Sequence, residues 1–141
     1  MAADIAEQPA GYARLLEGEP AAAIAAVAAK VAERRPSHVV FVGRGTSDHA
    51  ALYAAYLTEI RLGIPVGLAS PSAITLYGAR PALAGALVVG VSQSGGSPDL
   101  TEVLKVARES GALTLAVREH SPPGPDRSCD RGTTPVGAST G

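Results

Sequence analysis

The sequence predicts a doubly wound, three-layer α/β/α domain built on a parallel sheet. Two observations carry that expectation. Short apolar runs rich in β-branched residues alternate with helical patterns along the chain. Those runs are continuously apolar rather than alternating, which marks strands covered on both faces. Composition permits such a core: 46% of the 141 residues are hydrophobic, but only 4% are aromatic. It must therefore be built from Ala, Val, Leu and Ile, and the length suits one modest domain.

The chain opens on "DIAEQPAGYARLLEGE", with Ile5, Tyr12, Leu15 and Leu16 at helix-compatible spacing. Pro9 predicts a break there, giving a short arm and then a helical turn or two. "PAAAIAAVAAKVAERR" predicts a helix with Pro20 in its first turn and Arg34 and Arg35 at its C-terminal end, stopped by Pro36. His38 to Gly43, "HVVFVG", reads as a buried strand. Ser47 to Gly63 reads as a helix with Ser47 as N-cap and Gly63 as its stop. "PVGLAS" is a weaker strand and "PSAITLYGA" a short helix. Ala86 to Ser92, "ALVVGVS", is a third strand. The helix "SPDLTEVLKVARESG" follows, with Ser97 as N-cap, Pro98 at its first position and Gly111 as its stop. Ala112 to Val117 is a fourth strand.

The pattern then stops. Arg118 to Gly141 has no period and is dominated by Pro, Gly, Ser and Thr, a composition that cannot offset the entropy of ordering it. The expected organisation is an N-terminal arm and helix (1–35), a partial α/β domain (36–117) and an irregular tail (118–141). Two readings of the tail stand open: a disordered C-terminal segment, or sequence translated out of frame in a truncated gene.

Several function classes are disfavoured. A net charge of −1 gives no electrostatic reason to bind nucleic acid or a membrane surface. The single Cys129 rules out an internal disulfide framework. The acidic start "MAADIAEQP" is unlike a signal peptide, and the longest apolar stretch, Ala21 to Ala29, is far too short for a membrane span. A cytoplasmic protein is expected. No group of His, Cys and acids has metal-ligand spacing, so neither metal nor cofactor is expected. Asp48 and His49 are adjacent on a helix, about 100° apart, and read as a solvated face rather than an acid–base pair.

Two strand-to-helix loops carry the chemistry. The first is Gly43-Arg44-Gly45-Thr46-Ser47 and the second is Ser92-Gln93-Ser94-Gly95-Gly96-Ser97. In a doubly wound sheet, ligands bind beyond the carboxyl ends of the strands, where connections diverge to opposite faces. Glycines admit close backbone approach, and the amides that begin each following helix favour an anion. Thr46, Ser47, Ser92, Ser94 and Ser97 add neutral donors. The second loop holds no Lys or Arg, which suits a phosphate ester held by many donors. A dinucleotide site would need Gly-x-Gly-x-x-Gly and an acid after the second strand, and a P-loop would need Gly-Lys-Ser/Thr. Neither is present. Turns and caps alone account for Gly45, Ser47 and Ser97, but not for so many hydroxyls in both loops.

"GRGTSDHA" together with "SQSGGSPDL" resembles the sugar isomerase (SIS) domain family, and "DIAEQP" looks like the arm before the first SIS domain of its aminosugar-phosphate synthase and deaminase members. The resemblance runs from Asp4 to Val117. It implies a flavodoxin-like domain and a phosphosugar site. Carried over by position, Thr46, Ser47, Ser92, Gln93, Ser94 and Ser97 would hold the phosphate, with Gly43, Gly45, Gly95 and Gly96 supporting the loops. Gly96 and Ser97 stand where synthases more often carry Glu and Thr, which leans toward the deaminase-like branch. The implied ligand is a sugar phosphate such as glucosamine 6-phosphate or fructose 6-phosphate. The implied parent activity is proton transfer between C1 and C2 of the open-chain sugar. Family members dimerise and draw their acid–base groups from beyond the first domain, so a homodimer and an inactive fragment lacking a fifth strand are expected. A phosphosugar-sensing module without chemistry, or a non-functional remnant, are the alternatives.

Overall fold

In the computed structural model, residues 2–93 and 97–118 are described. They form α1 (Ala2–Leu16), α2 (Gly18–Arg34), β1 (His38–Val42), α3 (Thr46–Leu62), β2 (Val66–Leu68), α4 (Pro71–Thr75), β3 (Ala86–Ser92), α5 (Pro98–Glu109) and β4 (Leu113–Arg118). All four strands are parallel, in the order β2-β1-β3-β4. The expected α/β architecture is therefore present.

Strand alternation builds two cores. Val42, Ala86 and Val88 face α4 and α5, where they meet Ile74, Leu100, Val103, Val106 and Ala107. Val39, Phe41, Leu87 and Val89 face the other way, onto Ala51 and Ala55 of α3. Cover on both faces accounts for the continuous apolar runs of the central strands β1 and β3. The outer strands β2 and β4 depart from the expectation, being partly open, with Leu68 and Val117 exposed. Two helix ends match their sequence signals: Gly63 closes α3 in the left-handed conformation, and Ser97 with Pro98 opens α5.

Three local expectations are corrected. Pro9 does not break α1, which runs through it. The helix is exposed along this stretch, so water can satisfy the carbonyl that proline leaves unbonded, and good helix formers flank it on both sides. Ser47 is not the N-cap of α3; Gly45 is, at φ 60° and ψ −130°, and Ser47 lies inside the first turn. Finally, β4 extends to Arg118, a residue assigned by sequence to the tail, because Arg118 pairs in register with Ser92. Residues 119–141, the remainder of the predicted tail, lie outside the described residues, as do Ser94, Gly95 and Gly96. No described helix is long and apolar enough to cross a membrane.

Candidate functional site

The strand order places the topological switch between β1 and β3. From β1 the chain crosses through α3 to β2 on one side; from β3 it crosses through α5 to β4 on the other. The two connections therefore part at the carboxyl ends of β1 and β3, and open a crevice there. The β1–α3 loop and the residues that end β3 border it.

The first loop is tight for a steric reason. Gly43 is buried, and a Cβ there would lie 2.7 Å from the Ser47 carbonyl oxygen and 2.9 Å from the Asp48 amide nitrogen. The absent side chain lets the first turn of α3 settle directly on the end of β1. Gly45 then turns the chain with a φ and ψ that side-chain-bearing residues avoid. Backbone bonds from Ser47 N–H to Arg44 O (3.2 Å) and from Asp48 N–H to Gly45 O (3.1 Å) lock the turn. Because Gly45 caps the helix through its backbone alone, the hydroxyls of Thr46 and Ser47 remain at the crevice.

An open cleft of about 400 Å³ occupies this position. Its described lining is Thr46, Ser47 and Ala50 from α3, Val91, Ser92 and Gln93 from the end of β3, and Val117 and Arg118 from β4. Four of the six residues expected to hold phosphate are thus brought together from both loops. Ser97 is the N-cap of α5, and its hydroxyl makes no capping hydrogen bond. Its carbonyl instead accepts from the Thr101 amide and hydroxyl, both at 3.1 Å. Ser94, Gly95 and Gly96 fall outside the described residues. Asp48 and His49 are exposed on α3, as a solvated helix face requires.

Sequence reasoning missed two charged features. Arg118 lines the cleft because β3 and β4 end level with one another. The signal was available: Arg118 follows "ALTLAV" as Ser92 follows "ALVVGV". The other feature joins the two loops, as Arg44 Nη1 donates to Asp99 Oδ2 in the first turn of α5. Fifty-five positions separate the partners, and no local pattern announces the pair. Among the described residues, no group of His, Cys, Asp and Glu is placed to hold a metal ion.

Residues 34–122 match the SIS domain family. The chain belongs to that family. Glutamine–fructose-6-phosphate aminotransferase of Symbiobacterium thermophilum is 39% identical over 127 residues, covering 83% of this chain and 20% of the relative. The Halobacterium salinarum enzyme of the same description is 41% identical over 76 residues, covering 54% of this chain and 12% of its own length. This SIS chain thus spans a fifth or less of the curated relatives it matches. Among solved structures, a proposed phosphosugar isomerase from Silicibacter pomeroyi DSS-3 aligns with TM-score 0.75 and 43% identity, over 79% of this chain and 34% of that one. The C-terminal domain of glucosamine-fructose-6-phosphate aminotransferase from Francisella tularensis aligns with TM-score 0.58 and 25% identity, over 67% of this chain and 27% of that one. The resemblance carried by "GRGTS" and "SQSGGS" is therefore genuine homology, and Thr46, Ser47, Ser92 and Gln93 of those motifs line the cleft.

Proposed function

We propose that this chain is a sugar-phosphate-binding SIS domain, with its ligand's phosphate seated between the β1–α3 and β3–α5 loops. The observation that carries the reading is the meeting of Thr46, Ser47, Ser92 and Gln93 around one cleft at the switch point of the sheet. Relatives named for fructose 6-phosphate add the ligand class. Hydroxyls and helix-initial amides offer donors that suit a phosphomonoester, which carries close to two negative charges at neutral pH. Ser94 and Ser97, with Gly95 and Gly96, complete the proposed cradle, as the sequence of the second loop suggests.

Binding is the part of the chemistry that this cleft supports. Its described lining holds no carboxylate or imidazole to move a proton at neutral pH. Isomerisation or deamination of an aminosugar 6-phosphate would need such groups from elsewhere. We therefore read the chain as a phosphosugar-binding unit of an isomerase- or deaminase-type protein, working in the cytoplasm. A sensing role without chemistry would use the same cleft.

Calorimetric titration of the full chain tests the reading. Fructose 6-phosphate, glucosamine 6-phosphate and inorganic phosphate are expected to bind; fructose is not. Ser47→Ala is expected to weaken phosphate-ester binding about tenfold, since it removes one hydrogen bond to a charged group. No isomerised or deaminated sugar is expected to accumulate. Equal affinity for fructose and fructose 6-phosphate would overturn the assignment, and turnover would overturn the account of the cleft as binding alone.

A further inference from the structure

We infer that Arg118 supplies the charge that grips the ligand's phosphate, an inference that rests on the phosphate site proposed above. Arg118 ends β4, where it pairs in register with Ser92 of β3. That pairing brings it level with the strand end that carries Ser92 and Gln93, and it lines the same cleft as those residues and Thr46 and Ser47. It comes from a third element, outside both hydroxyl-bearing loops. Thr46, Ser47, Ser92 and Gln93 are neutral, whereas a phosphomonoester carries close to two negative charges at neutral pH. Among the described lining residues, Arg118 alone is charged. Arg44, the cation of the first loop, is not part of that lining and donates instead to Asp99.

Arginine chemistry suits this place. The guanidinium stays protonated at neutral pH, and its planar fork of N–H donors matches two oxygens of one phosphate. The same fork can hold a contact within the protein and still present donors to an anion. Arg118 is half-buried, so solvent screens its charge less than that of a fully exposed side chain. The hydroxyls fix where the phosphate sits, and Arg118 adds the attraction that separates a phosphate ester from a neutral sugar. Lys30 provides a contrast. It lines a separate groove with Leu113, Thr114 and Leu115, toward the opposite end of β4.

Titration of charge variants tests the assignment. Wild type, Arg118→Gln, Arg118→Lys and Lys30→Gln are titrated with inorganic phosphate and with fructose 6-phosphate, at about 0.05 M and about 0.5 M salt. Thermal melts set a temperature at which all four are folded. Arg118→Gln is expected to bind both ligands about thirtyfold more weakly at low salt, the loss of a charge-assisted hydrogen bond, with the gap narrowing at high salt. Arg118→Lys keeps the charge without the fork and is expected to recover to within about fivefold of wild type. Lys30→Gln removes the same charge from the other groove and is expected to stay within about twofold of wild type. Arg118→Gln that loses fructose 6-phosphate but keeps inorganic phosphate would place Arg118 on the sugar, and the inference would fall alone. It would fall equally if Arg118→Gln bound both ligands as wild type does, or if Lys30→Gln matched the loss in Arg118→Gln. Wild type that binds neither ligand would overturn the proposed function and this inference together.

Discussion

Replacing Gly43 with alanine is expected to destabilise the domain by about 3 kcal/mol and to abolish phosphate binding. The added methyl would sit 2.7 Å from one backbone atom and 2.9 Å from another in the first turn of α3. Side chains can swing aside; a helix backbone bonded into its own first turn cannot. The chain must lift α3 off the end of β1, which loosens the contact of Ala51 and Ala55 with the sheet. Overpacking against a rigid neighbour costs at the upper end of the usual 1–3 kcal/mol range. Lifting α3 also carries Thr46 and Ser47 away from Ser92 and Gln93, so binding fails even where the domain stays folded. Gly67→Ala is the matched control. A Cβ at Gly67 meets nothing within 4 Å, and that glycine sits in β2. The control should hold or gain a few tenths of a kcal/mol. Urea denaturation of the three proteins checks the difference, and equal midpoints for the two variants would sink the steric argument.

Glycine at position 43 also shows what could be read from sequence. A Gly after an apolar run and before a helix pattern suggested a strand-to-helix turn. That Gly43 is needed for close approach, while Gly45 is needed for its φ, depends on how the first turn of α3 seats on β1. The same division runs through the fold. The central strand positions are legible because burial on both faces leaves a continuous apolar run, and β3 matches its expected bounds residue for residue. The inward face of α3 was not. Its large residues Tyr53, Tyr56 and Ile60 are exposed, while Ala51 and Ala55 are buried. Small residues face the sheet where helix and strands approach closely, and a size-weighted hydrophobic pattern points the other way.

Helix ends divided similarly. Ser97 stands as N-cap, as a Ser-Pro-Asp sequence implies. Ser47 was displaced by Gly45, because the turn after β1 is closed by backbone conformation before a side-chain cap is needed. The penalty of Pro9 is real, but an exposed helix lets water offset part of it, and α1 runs through. In the cleft, the hydroxyl residues were found because they cluster in two loops. Arg118 and the Arg44–Asp99 pair were not, because each depends on which strand ends and helix starts are neighbours. Strand order is a long-range property, and the motifs alone do not encode it.

Strand order also fixes which core residue matters most to the site, and Leu100→Ala is expected to show it. Leu100 is 6% exposed in the first turn of α5. It belongs to the cluster of Val42, Val88 and Val103. Val42 is the last residue of β1, directly before Gly43. Leu100 therefore ties the start of α5 to the strand end from which the other loop departs. Truncation removes its buried methyl groups and leaves a cavity that the surrounding strands cannot close, a loss of about 3 kcal/mol. Leu76, 72% exposed after α4, supplies the contrast: Leu76→Ala should stay within about 0.5 kcal/mol of wild type. The site should respond as well. With α5 less firmly seated, the place proposed for Ser97 and the helix-initial amides in the phosphate cradle is disturbed. Phosphate affinity should then fall several-fold at temperatures where the variant remains folded. Melting curves and titrations of both leucine variants decide the matter. Loss of stability with unchanged affinity would uncouple the core from the cradle, and equal melting of the two variants would refute the placement of Leu100 in the core.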